Sequence, residues 1–505
     1  MSTNQTTWTP LCVEGAFMGT DARFGDHRGY FQELFHKDKY PADVIPKDGI
    51  PQVSLSHSHR GVLRGIHCSQ YAKLVTITAG AIYDVIVDLR AHSPTFRRWC
   101  AVVVSSANRR QLHVPAGCGH GFLCLEDADM LYLQSGCLDP PTEMDLDPFD
   151  PTLGVHWPTL PDVPRYIMSD KDKNAPKLLE REAFRGTIAA DDATPRRRVL
   201  VIGASGQVGG ALVEAFGAAA VIGTYSKVPC DGMVHFDLEA AAMDAQLADD
   251  LVMQCRPDVV CICAGRTWVD GCENEGDVPQ LVNCDGPRAV ARAARAAGAR
   301  TVYYSTDYVF GGEHEGKIYT EDDAVGPVNV YGSTKLAGEV AVMEEDPNSL
   351  ILRTTGVYGP EKQGKNFVYQ LCAALGAGRD MPCATDSFGT PTYNRDLAAM
   401  TVGLVEANAT GIYHCVGPET MNRHAFAVHV ADTLGLDAAR VTRVDSDALH
   451  AATVAKLGFA AVRGKHLGMV IHKLRAALPV SCHPRSVKDA LLHWKANPRG
   501  AECKF

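Results

Sequence analysis

The chain has 505 residues, a formal net charge of -10 and a pI near 6.0, with 46% hydrophobic and 21% charged residues. This length suffices for two or three domains that each bury a core, which excludes a largely disordered protein. The net negative charge argues against nucleic-acid binding. The absence of an apolar run of about 18 residues argues against a membrane span, and the polar start of the chain argues against secretion.

Cysteine and histidine usage bears on metal binding. The seventeen cysteines include no CxxC pair, so we expect reduced, mostly buried thiols in a cytoplasmic protein with small-molecule or protein partners. A zinc site is the alternative. His57, His59 and His67 could also bracket a metal in a barrel mouth, which leaves a metal-binding barrel open at this point.

The N-terminal part, residues 12–165, reads as many short strands. Alternating segments occupy 73–79, 81–89, 100–104 and 111–114, and glycine, proline and asparagine separate them. This pattern is typical of an antiparallel barrel or sandwich.

Several motifs of this part occur in a recognisable order. FGDHRGYFQE lies at 24–33, GVLRGIH at 61–67, PAGCGHGF at 115–122 and SDKD at 169–172. They resemble the dTDP-4-dehydrorhamnose 3,5-epimerase family over about residues 10–180. The resemblance implies an antiparallel β cupin-like barrel that works without metal, and we predict no metal site.

The resemblance also implies a reaction and its residues. A 4-keto sugar has weakly acidic hydrogens at C3 and C5, so inversion needs a base, stabilisation of an enolate and an acid on the opposite face. By resemblance, His67 is the base and Asp172 orients it, Lys73 meets the oxyanion, and Tyr132 is the acid. The implied substrate-binding residues are Arg28, Phe31, Glu33, Gln52 and Arg64 for the nucleotide diphosphate, and His120 beside the sugar.

Two features depart from the family. Leu138 stands where a second tyrosine is usual, six residues beyond Tyr132, and the segment from His67 to Lys73 is short. Either could restrict the reaction to one carbon or shift the nucleotide preference.

The pattern of strand-like and helical segments changes near residue 198. The stretch 180–195 is charged, rich in small residues and without periodicity, so we predict domains at 1–185 and 197–505 with a linker at 186–196. Beyond the linker, strand-like runs alternate with Ala-rich helical segments such as 287–298. This alternation predicts an α/β Rossmann domain with a doubly wound parallel sheet.

The first strand of this domain runs directly into a glycine-rich turn. Glycines allow a tight turn and a close backbone approach to a pyrophosphate, while the amides that open the next helix face the anion. The pattern predicts dinucleotide binding by Gly203, Gly206, Gln207, Val208 and Gly209, with Ala264 and Gly265 at the end of a later strand.

A Tyr/Lys pair follows a strand that ends in Ser305 and Thr306. Tyr331 and Lys335 lie four residues apart and so share one helical face. The ammonium is expected to stabilise the phenolate and lower the pKa of Tyr331, which lets it give a proton to a substrate carbonyl held by a Ser/Thr hydroxyl.

These motifs resemble the extended short-chain dehydrogenase/reductases, and among them the dTDP-4-dehydrorhamnose reductase group, over 198–505. Further matching stretches lie at 265–270, 305–310, 327–339 and 352–359. The resemblance implies a small substrate-binding subdomain. It implies Thr306, Tyr331 and Lys335 as catalytic residues, with Tyr331 and Lys335 also contacting the cofactor, and Thr267, Val269 and Tyr308 lining the substrate, with Asp237 at the adenine.

The second strand ends in GTYSK, without an acidic residue for a ribose 2'-hydroxyl. We therefore predict NADPH with Lys227 near its 2'-phosphate, while NADH remains an alternative. The last part departs from the group: an Arg-Pro pair is usual, and this chain has Arg463-Gly464 and later Pro484-Arg485.

The two resemblances describe consecutive steps. They predict a bifunctional enzyme that converts a dTDP- or UDP-linked 4-keto-6-deoxy-D-glucose to the L-rhamnose nucleotide, and a homodimer through the barrel half. The alternatives are epimerisation at C3 or C5 alone before reduction, which gives another 6-deoxyhexose, and a non-catalytic ligand-binding regulatory subunit. The sequence leaves the nucleotide and the acceptor of the sugar open.

Overall fold

The structure is a computed structural model that describes residues 8–20, 22–36, 40, 49–139, 143–184 and 197–498. The chain divides into two compact units, Met1–Arg198 with Met253–Arg256 and Val199–Val252 with Pro257–Phe505. The predicted linker, 186–196, lies outside the described residues, and the domain boundaries stay predictions. Within the described ranges, no helix is long and apolar enough to span a membrane.

The first unit is built from antiparallel strands, as predicted. Its elements are β1 (Trp8–Pro10), β2 (Phe17–Thr20), β3 (Arg23–Asp26), β4 (Gly29–Gln32), β5 (Gln52–Ser58), β6 (Leu63–Cys68), β7 (Lys73–Ala79), β8 (Ala81–Asp88), β9 (Trp99–Ser105), β10 (Arg110–Val114), β11 (Cys118–Cys124), β12 (Ala128–Gln134), β13 (Met144–Asp145) and the short helix α1 (Asp170–Lys173). Two large sheets have the orders β1-β2-β10-β7-β12-β5 and β13-β6-β11-β8-β9, and β3 and β4 form a separate hairpin.

Each large sheet presents different side chains on its two faces because side chains alternate along a strand. In the first sheet, Leu74 and Leu133 pack on one face, whereas Tyr132 and Gln134 share the other face with their cross-strand neighbours Ser54 and Gln52. In the second sheet, an apolar face is built by Leu63, Ile66, Val85 and Leu123. Its opposite face carries His67 and His120, which are cross-strand partners. The rings of His120 and Tyr132 lie 6.3 Å apart, so these faces of the two sheets border one lumen.

The second unit alternates strands and helices. Its strands are β14 (Val199–Ile202), β15 (Val221–Tyr225), β16 (Val234–His235), β17 (Val259–Ile262), β18 (Arg300–Thr306), β19 (Ile318–Tyr319), β20 (Leu350–Thr354), β21 (Val357–Tyr358), β22 (Met381–Ala384), β23 (Phe388–Gly389), β24 (Thr392–Tyr393), β25 (Gly411–His414), β26 (Met421–Asn422), β27 (Val441–Val444) and β28 (Gly468–Met469). Its helices are α2 (Gln207–Phe216), α3 (Leu238–Met243), α4 (Gln246–Cys255), α5 (Val269–Cys272), α6 (Val278–Gln280), α7 (Gly286–Ala296), α8 (Val330–Glu345), α9 (Phe367–Gly376), α10 (Asn394–Glu406), α11 (Arg423–Leu434), α12 (Ser446–Leu457), α13 (His472–Ala477) and α14 (Val487–Ala496).

The predicted doubly wound sheet is confirmed. Seven parallel strands have the order β16-β15-β14-β17-β18-β20-β25, and their apolar residues form the main core of the unit. The strand order reverses next to β14, so the carboxyl ends of β14, β15 and β17 meet at one edge, where doubly wound folds bind ligands.

The predicted small subdomain corresponds to a second apolar cluster. Helices α9, α11 and α14 contribute Leu371, Phe426 and Trp494 to it, and β22 and β27 form a parallel pair at its side. This cluster is separate from the core of the seven-stranded sheet, so the subdomain has an apolar centre of its own.

Candidate active sites

The predicted base of the barrel, His67, is paired with the predicted Asp172. The two side chains meet at 2.7 Å between Nε2 and Oδ1. Ser169 caps α1 and donates from Oγ to the other oxygen of Asp172 at 2.9 Å. Burial raises the pKa of Asp172, but the hydrogen bond and charge of His67, with Ser169 and Lys171, lower it overall. Asp172 is therefore ionised at neutral pH and can stabilise an imidazolium.

A second carboxylate near His67 was not predicted. Asp145 Oδ1 lies 3.8 Å from His67 Nε2 and 3.0 Å from Lys171 Nζ. Asp145 is the cross-strand partner of His67, so only the strand register brings it there. Among the described residues, a cavity of about 460 Å³ is lined by His67, Asp172, Lys171 and Arg64.

His120 occupies the same polar face as His67. Its Nε2 lies 2.7 Å from Asp84 Oδ1, and both side chains are buried. The His120 ring is 6.3 Å from the ring of Tyr132 on the opposite sheet. Asp84 was also missed by the sequence reading, although its alternation within β8 places it on the inner face.

The predicted oxyanion partner, Lys73, is buried at the start of β7. Burial lowers its pKa, and the nearby carboxylates of Glu143 and Asp84 partly oppose this shift. Glu143 accepts a hydrogen bond from Ser69 at 2.7 Å. Because Lys73 is buried, water screens its positive charge little, which strengthens the effect of that charge on a developing negative oxygen.

Tyr132 has the protonation that a general acid needs. Burial raises its pKa to about 12, and the neighbouring hydroxyl of Ser56 only partly opposes the rise. The phenol is therefore protonated at neutral pH. Lys73 and Tyr132 lie on β7 and β12 of the first large sheet, and His67 lies on β6 of the second.

The predicted nucleotide-binding residues are not all brought to this lumen. Gln52 lies at its rim and accepts the backbone N–H of Leu138 at 2.9 Å, and Arg64 lines the cavity beside His67. Arg28 and Phe31 lie instead on the exposed β3–β4 hairpin, where Arg28 pairs with Asp26 at 2.6 Å. No hydrogen bond or ring contact joins either of them to His67 or Tyr132 in the described structure. Glu33 directly follows β4 in the sequence.

Of the three histidines considered as metal ligands, His67 lines the cavity, whereas His57 and His59 do not. His57 and His59 are exposed and pair with Asp129 and Asp127 at 2.7 and 3.4 Å. Among the described residues, no group of three or more His, Cys, Asp or Glu side chains is arranged to hold a metal ion. The cysteines within these ranges are free, and most are buried.

In the second unit, the glycine-rich turn fits a dinucleotide. Gly203 has φ +85°, and a Cβ there would lie 2.8 Å from Ala264 N. A Cβ at Gly209 would lie 2.3 Å from the Gly203 carbonyl oxygen. Gly206 caps α2, and Gln207 Nε2 is buried without a hydrogen-bond partner among the described atoms. A pyrophosphate at this turn would meet the backbone amides that open α2.

Thr306 and Tyr331 are brought together beside Tyr308. Thr306 ends β18, and Tyr331 stands in the first turn of α8, whose cap Asn329 accepts from Gly332 N at 2.7 Å. The rings of Tyr308 and Tyr331 are 5.8 Å apart. A hydrogen bond with Thr306 is the main influence that lowers the pKa of Tyr331.

The expected effect of Lys335 on Tyr331 is not found. Burial raises the pKa of Tyr331 well above its usual value, and Lys335 is not among the groups that oppose the rise. Burial also lowers the pKa of Lys335 to about 7, and its Nζ lies 3.9 Å from the centroid of the Tyr303 ring. The prediction of a lowered Tyr331 pKa was therefore wrong, because removal from water and the negative charge of Asp307 disfavour the phenolate more than Thr306 favours it.

Asp307 is a further group that the sequence reading missed. It accepts from Thr306 Oγ1 at 3.0 Å and from Thr355 Oγ1 at 2.5 Å. Burial raises its pKa to about 6, although these hydrogen bonds favour the ionised form. Its position directly after Thr306 in the sequence was the only available signal.

Other predicted residues have mixed outcomes. Asp237 caps α3 by accepting from Glu239 N and Ala240 N, so at least one of its oxygens serves the helix. Lys227 is exposed after β15, and Thr267 and Val269 lie at the start of α5. Arg463, rather than Arg485, lies near Tyr308, and it pairs with Asp270 at 2.8 Å. Burial raises the pKa of Tyr308, and the charge of Arg463 partly opposes this rise.

Both halves match known protein families. Residues 10–180 match the family model described as dTDP-4-dehydrorhamnose 3,5-epimerase, and residues 197–491 match that of the RmlD substrate binding domain. The first half is 42% identical over 178 residues to a dTDP-4-dehydrorhamnose 3,5-epimerase of Streptomyces griseus, which covers 34% of this chain and 87% of the relative. It is also 39% identical over 176 residues to a dTDP-4-dehydrorhamnose 3-epimerase of Streptomyces niveus, with 34% and 83% covered.

The second half is similar to a solved reductase. The crystal structure of dTDP-4-dehydrorhamnose reductase from Bacillus anthracis in complex with NADP has 29% sequence identity and a TM-score of 0.51, and the match covers 60% of this chain and 99% of that one. The chain therefore belongs to the dTDP-4-dehydrorhamnose 3,5-epimerase family through its first half and to the dTDP-4-dehydrorhamnose reductase family through its second.

Proposed function

We propose that the protein makes a nucleotide-linked L-rhamnose in two steps. The barrel epimerises a dTDP- or UDP-linked 4-keto-6-deoxy-D-glucose at C3 and C5, and the Rossmann half then reduces the C4 ketone with NADPH. The observation that carries this proposal is the His67–Asp172 pair at 2.7 Å, in a cavity that Arg64 and Lys171 also line.

In the barrel, different residues act as the base, the acid and the stabiliser of negative charge. His67 removes the proton next to the ketone, and Asp172 stabilises the resulting imidazolium. Lys73 stabilises the negative charge that develops on the C4 oxygen. Tyr132, protonated because burial raises its pKa, returns a proton from the other face. Arg64 and Gln52 bind the nucleotide diphosphate, and His120 borders the sugar.

In the second half, the chain binds cofactor and substrate and moves one proton. Bound NADPH supplies a hydride to C4. The amides around Gly203 and Gly206 bind its pyrophosphate, and Lys335 binds the nicotinamide ribose. Thr306 orients the ketone, and the protonated Tyr331 donates to the C4 oxygen, while Thr267, Val269 and Tyr308 line the sugar.

Fusion of the two steps has a physical rationale. Epimerisation interconverts keto sugars of similar energy, so it leaves little product unless a later step removes it. Reduction removes the epimerised ketone, and a tether raises the effective concentration of the second site.

We also propose a homodimer through the barrel. Strand β5 lies at the edge of its sheet, and its outward residues Val53 and Leu55 are exposed. Phe24, Tyr30 and Phe31 on the β3–β4 hairpin are exposed as well. An apolar sheet edge of this kind is suited to pairing with a second copy.

A second candidate is epimerisation at a single carbon followed by reduction. Leu138 supports it, because this exposed leucine stands where a tyrosine is usual in the epimerase family. The similarity to a protein named as a 3-epimerase supports it as well. The regulatory alternative has less support, since His67, Asp172, Tyr331 and Lys335 are all present.

The experiment is an NMR time course in D2O with dTDP- and UDP-linked 4-keto-6-deoxyglucose, with and without NADPH. We expect deuterium at C3 and C5 without cofactor and an L-rhamnose nucleotide with it. Deuterium at one carbon would favour the second candidate. No exchange and no NADPH oxidation with either nucleotide would contradict the proposed function.

A further inference from the structure

Two cations flank the glycine-rich turn of the second unit. Strand β14, which leads into the turn, lies between β15 and β17. Lys227 follows the carboxyl end of β15, and Arg266 follows Ala264 and Gly265 at the carboxyl end of β17. Both side chains therefore belong to the edge of the sheet where the cofactor binds.

Arg266 is held in one orientation. Its Nε and Nη2 both donate to the carboxylate of Glu275, and its guanidinium lies 5.7 Å from the centroid of the Trp268 ring. Its backbone is fixed too, since Arg266 N donates to Asn283 Oδ1 at 2.8 Å. Nη1 has no hydrogen-bond partner among the described residues, so one edge of the guanidinium can still donate.

Glu275 connects the two cations. Its pKa is lowered by the hydrogen bonds from Arg266 and also by the charge of Lys227, which lies within electrostatic reach. The cluster thus holds two positive charges and one negative charge at the edge of the sheet that carries the glycine-rich turn. Lys227 is exposed, and the side chains of Arg266 and Glu275 remain 30% and 24% exposed, so a ligand can reach them.

We infer that Arg266, oriented by Glu275, binds the 2'-phosphate of NADPH together with Lys227. A 2'-phosphate carries up to two negative charges and several acceptor oxygens, which match Nη1 of Arg266 and the ammonium of Lys227. NADH offers only a hydroxyl at this position and gains nothing from either cation. Arg266 therefore determines the preference for NADPH. This inference rests on the proposed NADPH-dependent reduction.

The test is calorimetric titration of the full chain with NADP⁺ and NAD⁺. We expect the wild type to bind NADP⁺ at least about tenfold more tightly, because hydrogen bonds between charged groups are strong. Arg266→Met should weaken NADP⁺ binding about tenfold or more and change NAD⁺ binding by less than about twofold. The control is Arg288→Met, which removes a surface arginine paired with Glu344 and should change neither affinity.

Two further measurements sharpen the result. The preference for NADP⁺ should decrease as salt is raised, since screening weakens exposed charge pairs. The ligand 2',5'-ADP should lose affinity in Arg266→Met while 5'-AMP does not.

Equal affinity of the wild type for NADP⁺ and NAD⁺ would overturn the inference. So would an equal loss of both affinities in Arg266→Met, which would mean that Arg266 only maintains the local fold. If NADP⁺ binds selectively through Arg266 but no 4-keto sugar nucleotide is reduced, the proposed reductase function fails while this inference stands.

Discussion

Burial governs the protonation of the Tyr331–Lys335 pair. It keeps the phenol of Tyr331 protonated, which suits a proton donor in the reducing direction. Burial also lowers the pKa of Lys335 to about 7, so the uncharged amine and the ammonium are both populated at neutral pH. The cofactor's phosphates and ribose hydroxyls favour the ammonium form, so binding and protonation of Lys335 are linked.

This linkage predicts the pH dependence of cofactor binding. Below pH 7, Lys335 is charged in the free protein, and above pH 7 it must gain a proton for the cofactor to bind well. The affinity for NADP⁺ should therefore fall as pH rises from 6 to 9, by up to about tenfold per unit above pH 7. Titration calorimetry measures this directly. In Lys335→Met, the part of the pH dependence of NADP⁺ affinity that comes from Lys335 should disappear. An unchanged pH profile in that variant would contradict the assignment of this pH dependence to Lys335.

The barrel offers a matched pair of histidine variants. His67→Asn should slow deuterium incorporation next to the ketone by about 10²- to 10⁴-fold, the range for loss of a positioned base. His59→Asn alters an exposed histidine that pairs with Asp127 at 3.4 Å and should leave the rate unchanged. Reduction of an already epimerised substrate should be normal in both. Wild-type exchange in His67→Asn would assign the base to another group.

At the scale of the elements, α8 is fixed to the sheet by a buried ion pair. Glu339 accepts from Arg353 Nε at 2.9 Å and from Nη2 at 2.7 Å, and Ser305 on β18 donates to the same carboxylate. Both charged side chains are buried. The pair therefore sets the distance between the strand end that carries Thr306 and the helix that carries Tyr331.

Breaking this pair should destabilise the second half. Glu339→Ala leaves a buried guanidinium without its partner, so we expect a loss of about 3–5 kcal/mol in the free energy of unfolding of that half. Glu344→Ala, on the same helix but exposed, should change it by less than about 0.5 kcal/mol. Chemical denaturation followed through the second half measures both. A similar small effect for the two variants would mean that the ion pair does not hold the helix.

The edge strand β5 carries the prediction for assembly. Replacing Val53 and Leu55 with lysine places charges on the exposed apolar edge and should convert the proposed dimer to a monomer. Sedimentation velocity distinguishes the two species. The wild type sedimenting as a monomer, or the double variant as a dimer, would contradict the role of this edge.

The sequence predicted residues that belong to motifs better than it predicted their partners. His67, Lys73 and Tyr132 were predicted from the order of the motifs along the chain, and in the structure His67 lies beside the predicted Asp172. Asp145 and Asp84 were missed because strand register, which one sequence does not display, brings them beside His67 and His120.

The same limit applies to the second half. Arg463 reaches Asp270 across 193 residues of chain, so nothing local could choose it over Arg485. The expected lowering of the Tyr331 pKa failed because the spacing of Tyr331 and Lys335 carries no information about how deeply both are buried. The element types and the order of the two folds, by contrast, follow from periodicity and turn residues, which are local.

At the scale of the whole molecule, the residues proposed for the two reactions lie in two compact units of one chain. No catalytic residue proposed for one reaction belongs to the unit of the other. Each reaction should therefore survive inactivation of its neighbour, and the intermediate should be able to pass between molecules through solution.

The central claim is tested most directly by mixing two inactive variants. His67→Asn and Tyr331→Phe, each incubated with the 4-keto-6-deoxyglucose nucleotide and NADPH, should give no L-rhamnose nucleotide, because one lacks the base and the other the proton donor. An equimolar mixture should restore the product, measured by NMR with NADPH oxidation in parallel. A mixture that stays inactive, or a Tyr331→Phe protein that forms the product alone, would contradict two independent sites acting in sequence.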